Sequence, residues 1–191
     1  MKSLLLLALA AAAVFCAIFV PDMLRGEMDN NEAAVVAACK ELVAAQRRYY
    51  EQDRDGDGRR AYAKVLYGPQ ALCDPKASAD ARFLDEDLAR ADASLPGAAP
   101  YRGYFFRVLY MQGAHARDGM KDYRTYDTFG GALTVGFAAI AYPAKHKETG
   151  RQTFLINQFG TIHKCDLGGD TERTARGMQV YDPGPGWAQH E

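Results

Sequence analysis

The chain has 191 residues, enough for one domain with appendages. At 48% apolar and 25% charged it has the balance of a folded globular protein rather than a disordered one. A net charge of −1 and the lack of a Lys/Arg block exclude the electrostatic footprint of a nucleic-acid binder or a polybasic membrane patch.

The N-terminus departs from that average. Leu4 to Val20 carries no charge and follows Lys2. As a helix this run spans roughly 25 Å, a little short of a bilayer core of about 30 Å. Two readings stay open. A cleaved signal peptide would use the small residues Ala11-Ala12-Ala13 as its processing site. A retained anchor would use the apolar continuation Val14–Val20. Both export the remainder, and the acidic flank Asp22, Glu27 and Asp29 suits an outward-facing side under the positive-inside rule. Residues 1–28 are therefore expected to be targeting segment and linker, 29–187 one domain, and 188–191 a tail.

Asp29-Asn30-Asn31-Glu32 has the form of a capping box, with Asp29 as N-cap. Val35, Val36, Cys39, Leu42, Val43, Gln46, Tyr49 and Tyr50 then recur in steps of three and four, which predicts an amphipathic helix with one buried stripe. Gly56 and Gly58 end it. Arg60–Tyr67 reads as a short strand or a helical turn, broken by Gly68-Pro69. Ala81–Ala91 has the spacing of a short helix, with Asp85, Glu86 and Asp87 suited to the dipole of its first turn. Tyr101–Met111 predicts a strand rich in aromatic residues. Gln112–Thr128 reads as a long polar loop, Gly130–Tyr142 as a strand ended by Pro143, and Gln152–Asn157 with Thr161–Cys165 as a hairpin about Phe159-Gly160. A short helix over Gly168–Gln179 precedes the Pro/Gly-rich stretch Asp182–Trp187. The fold class implied is α+β, an N-terminal helix packed on an antiparallel sheet.

Few residues carry chemistry. Asp53-x-Asp55-x-Asp57-Gly58 matches the first half of a calcium loop, where alternate carboxylates converge on one hard cation. The twelfth position is Lys64 instead of a bidentate Glu, so a weak site completed from elsewhere competes with a turn in which the Asp side chains cap local N–H groups. No other cofactor is indicated. Of three cysteines beyond the apolar run, Cys39 falls on the buried helix face, which leaves Cys73 and Cys165 as the preferred disulfide. His115, His146, His163 and His190 show no ligand spacing, and surface or strand positions account for them. No nucleophile motif or phosphate loop is present. Tyr101, Tyr104 and Tyr110 suit either a binding groove or a sheet core.

A set of segments carries a likeness: Asn31-Glu32-Ala33-Ala34, Gln46-Arg47-Arg48-Tyr49-Tyr50, Asp53–Gly58, Pro100–Arg107, Gly130-Gly131-Ala132, Ala141-Tyr142-Pro143-Ala144, Thr149–Phe154 and Lys164–Gly168. On these the chain resembles an uncharacterised family of bacterial envelope proteins, a domain of unknown function. That family is loosely similar to type II secretion pseudopilins and other pilin-like proteins. The resemblance implies a pilin-like fold. It does not extend to pilus assembly, because Met1-Lys2-Ser3 leads straight into the apolar run and Leu4–Val20 has no Glu, so no prepilin cleavage motif is present. The expected function is that of an exported, non-enzymatic cell-envelope protein acting through contacts with other proteins, periplasmic or extracytoplasmic, and attached to the membrane through residues 4–20 if these are retained. Its rivals are a calcium-binding structural module and an enzyme of unrecognised type.

Overall fold

The computed structural model describes residues 2–52, 58–125 and 131–191, with side chains from residue 23 onward. One helix, α1, runs from Lys2 to Tyr50. Its core-facing stripe begins at Met28 and continues through Val35, Cys39, Leu42, Ala45 and Tyr49, all buried, in the three-and-four spacing read from the sequence. Helix continues unbroken through Asp29, so the expected capping box is not one. Asp29 and Glu32 instead reach across to the segment before the hairpin. The Glu32 carboxylate accepts the backbone N–H groups of Arg151 (2.7 Å) and Gln152 (3.1 Å), and Arg151 donates to Asp29 at 2.5 Å.

Between the helix and the main sheet the chain is mostly irregular. Arg60–Tyr67 forms only isolated bridges, from Tyr62 to Leu133 and from Tyr67 to Cys73. Buried polar groups organise it. The Gln46 amide bonds both the N–H and the C=O of Ala63, each at 2.8 Å, as a neighbouring strand would. Asp92 accepts the N–H of Leu66 at 2.8 Å and both the N–H and hydroxyl of Ser94. The short helix α2 (Glu86–Ala89) is capped by Asp85, which accepts from Asp87 and Leu88 N–H.

Among the described residues ten strands follow: β1 (Tyr104–Leu109), β2 (Met111–Gln112), β3 (Lys121–Asp122), β4 (Arg124–Thr125), β5 (Ala132–Leu133), β6 (Ala138–Pro143), β7 (Thr153–Asn157), β8 (Ile162–Cys165), β9 (Val180–Tyr181) and β10 (Ala188–Gln189). Five make the main sheet, in the order β1-β6-β7-β8-β10, antiparallel throughout. The hairpin β7–β8 lies where the sequence places it. β10 pairs with β8, so residues 188 and 189 close the sheet edge, and the expected tail belongs to the domain. The expected loop Gln112–Thr128 contains β3 and β4. β2 pairs antiparallel with β3 and parallel with β9.

β6 and β7 are buried at every position. Both faces of the sheet are covered, so apolar residues run through these strands without alternation, with the polar Thr153 and Asn157 buried at the two ends of β7. α1 lies against β7, with Val36 beside Phe154. On the other face lie β9 and the helix α3 (Thr171–Gly177), which is anchored by Arg107 from β1 donating to the carbonyls of Ala175, Arg176 and Met178.

The expected bridge between Cys73 and Cys165 is not formed; Cys39, Cys73 and Cys165 are all free. Cys73 is held in the core by its bridge to Tyr67, while Cys165 sits at the end of β8 opposite Thr153. Burial pushes the Cys39 thiol up to about 12, so it is an inert apolar side chain.

Candidate functional site

The described residues contain three surface pockets of note. One, of about 220 Å³, runs between α1 and the sheet edge, where Asp29 and Glu32 face Lys164 and His190. Another, of about 320 Å³, lies among Asp87, Arg90, Tyr101 and Arg102. The third, of about 200 Å³, brings two histidines together with Arg117 and Tyr181: His115 and His163 both line it.

This third pocket is built by the parallel pairing of β2 with β9. Gln112 faces Tyr181 in that register, and Gly113 N–H donates to the Tyr181 carbonyl at 2.9 Å. The residues leaving the two strands, His115 and Asp182, are thereby brought together from 67 positions apart. Asp182 accepts the backbone N–H of His115 at 2.8 Å, and both its oxygens stand 3.1 Å from His115 Nδ1. Two glycines make room for the pair. A Cβ on Gly113 would meet the Asp182 carboxyl carbon at 2.3 Å, and one on Gly184 would meet His115 Nδ1 at 2.8 Å.

Gln112 sets the loop between them. Its amide nitrogen donates to the carbonyls of Arg117 and Gly119, both at 2.6 Å, while its oxygen accepts the Tyr123 hydroxyl at 2.7 Å. The loop is thus pinned from a buried side chain, and Arg117 is carried over the ring of Phe159, 5.1 Å from its centroid, at the tip of the β7–β8 hairpin.

His163, on β8, also lines the pocket. The Asn157 side-chain oxygen accepts the N–H groups of Phe159 and Thr161, which orients its nitrogen to donate to the Tyr181 hydroxyl oxygen at 3.2 Å. Tyr181 then has its own proton to place, and His163 Nδ1 stands 3.1 Å away as the acceptor. That fixes the His163 tautomer with its proton on Nε2. Burial pushes the Tyr181 phenol up to about 12 and holds His163 below its ordinary value, so a protonated phenol faces a neutral imidazole. Burial also pushes the Asp182 carboxyl up, but hydrogen bonds from the His115 ring and backbone outweigh it and leave the group below the ordinary carboxylate value. An ionised Asp182 accepts the proton on His115 Nδ1.

Among the described residues, the others singled out from sequence do not come together in one site. Asp53, Asp55 and Asp57 lie outside the described residues. Among the described ones no three His, Cys, Asp or Glu side chains are grouped to hold a metal ion. Tyr104 is fully buried and donates to the Gln152 carbonyl at 2.9 Å; Tyr110 donates to that of Lys64 at 3.3 Å; Tyr101 lines the pocket with Arg102. The three tyrosines therefore do not share a groove. His146 is bound to Asp166 at 2.7 Å, and the His190 ring stands edge-on to Phe154. Sequence reading missed the pairing of His115 with Asp182 because the parallel bridge that joins them leaves no local pattern; the Gly184 in Asp182-Pro183-Gly184 is its one trace.

The fold and pocket define a class: a small α+β domain, one long helix on a two-sided antiparallel sheet, with a polar pocket at the joint of its secondary sheet. The family model "Protein of unknown function (DUF2950)" matches residues 20–190, and the chain belongs to that family. No curated protein and no solved structure matches it.

Proposed function

We propose that this is a non-enzymatic cell-envelope domain, pilin-like in organisation, held at a membrane by its N-terminal helix and acting outside the cytoplasm through contacts with other proteins. One observation carries the reading. α1 runs from Lys2 to Tyr50 as a single helix, so the apolar run Leu4–Val20 and the stripe that seats the domain's core belong to one rod. A membrane-seated run would then hold the domain close to the bilayer surface without a flexible tether. The acidic residues that flank the run, Asp22, Glu27 and Asp29, favour the outer side.

No helix among the described residues is long and apolar enough to cross a membrane. The side chains of Leu4–Val20 lie outside them, and the proposal rests on that segment's composition. Fractionation of cells producing the full chain, with mass spectrometry of the recovered N-terminus, is the test. Recovery in carbonate-washed membranes with residues 4–20 intact, and digestion by protease added to spheroplasts, is the expected result. A mature N-terminus near Val14 in the soluble periplasm removes the tether while keeping export. An intact chain in the cytosol removes both.

A further inference from the structure

We propose that the pocket between the β2–β9 joint and the β7–β8 hairpin is a binding site for a small organic acid, with the carboxylate held by Arg117 and His163 and the apolar part laid against Phe159 and Pro183. The proposal is independent of membrane attachment.

The first argument is the donor set. His163 presents Nε2–H, because its Nδ1 is occupied by the Tyr181 proton. Arg117 is exposed, and its guanidinium is fixed over Phe159 rather than committed to a carboxylate. A planar cation and a ring N–H lining the same pocket are the donor types that pair with the two oxygens of a carboxylate. The carboxylate already present, Asp182, points both oxygens at His115 and is not available to Arg117 as a substitute. The second argument is the apolar wall. Phe159 is 49% exposed although it sits in a tight hairpin turn where a polar residue would serve folding equally well. Arg117 covers one side of it, and Pro183 and Ala116 continue an apolar lining around the pocket. The third argument is construction. Buried Gln112 holds the Arg117 carbonyl, buried Asn157 and Tyr181 lead by a chain of bonds to His163, and two glycines make room for the His115–Asp182 pair beside them. A volume of about 200 Å³ is below the range for drug-sized molecules and fits an acid with a single ring or a short branched chain.

The test titrates the full chain in detergent, ¹⁵N-labelled at histidine, with sodium benzoate to about 20 mM, a range that covers millimolar affinities. Saturable, one-to-one shifts of the His115 and His163 ring signals are expected, with His146 unmoved. Arg117→Gln, a surface change, should weaken the affinity roughly tenfold, the size of one charge-assisted hydrogen bond. His163→Gln should do likewise, and His146→Gln should leave it unchanged. Sodium phosphate run in parallel should give no saturable shift. Absence of benzoate shifts, equal affinity in Arg117→Gln, or equal response to phosphate would each overturn the proposal.

Discussion

Gln46 has no exposed surface, and both ends of its amide are spent on Ala63. It stands at a stripe position where an aliphatic residue would satisfy the periodicity, so its value lies in the two backbone groups it satisfies. Gln46→Leu fills the space but strands a buried N–H and C=O. A loss of about 2–6 kcal/mol is expected in urea unfolding, the sum of two such penalties. His163 acts at the same scale through protonation. Burial lowers its folded value below 6.5, so the unfolded chain binds the extra proton as pH falls. Its contribution to stability is complete above 6.5 and is lost as pH drops through the lower folded value. The urea midpoint should therefore decline between about pH 7 and pH 5 more steeply in the native chain than in His163→Gln. Parallel declines would mean that His163 does not titrate differently in the fold.

Among the elements, α3 depends most plainly on a residue from elsewhere. The Ala175 carbonyl takes the Met178 N–H at 3.3 Å, and Arg107 from β1 donates to that carbonyl and to those of Arg176 and Met178. Arg107→Met keeps the stem and removes the donors. α3 should fray, with faster amide exchange over Thr171–Gly177 and a loss of about 1–3 kcal/mol. Elements also divide by how legible they are. The α1 stripe and the β7–β8 hairpin repeat with local periods, and both lie where those periods place them. β2, β3 and β4 are two residues each, too short for any period to register, and they read as loop. Asp29 and Glu32 were misleading for a related reason. The acid-first spacing of a capping box is the same as that of two acids on one helix face, and only the position of Arg151, over a hundred residues on, shows that they dock the sheet. The pocket was the least legible feature, since His115 meets Asp182 and His163 meets Tyr181 only once the strands have paired.

For the molecule as a whole, α1 joins the apolar run Leu4–Val20 to the stripe that organises the core. The first buried side chain along it among the described residues is Met28, and Met23 and Leu24 before it are exposed. Nothing in the core therefore draws on residues 23–27. If the first 22 residues serve attachment, a chain begun at Met23 should fold with a stability within about 0.5 kcal/mol of the full chain in the same detergent, as expected for a change that touches no core contact. Docking of the remaining helix then rests on its buried stripe and on Glu32, whose carboxylate accepts two backbone N–H groups and so fixes the helix against the chain entering β7. Glu32→Ala in the shortened chain leaves those N–H groups unpaired. It should cost about 1–3 kcal/mol, and exchange at the Arg151 and Gln152 amides should quicken before exchange at β6 or β8. An unfolded shortened chain would instead make the N-terminal half of α1 part of the fold. The helix would then be structural along its whole length, and its apolar run would be explained by packing rather than by a membrane.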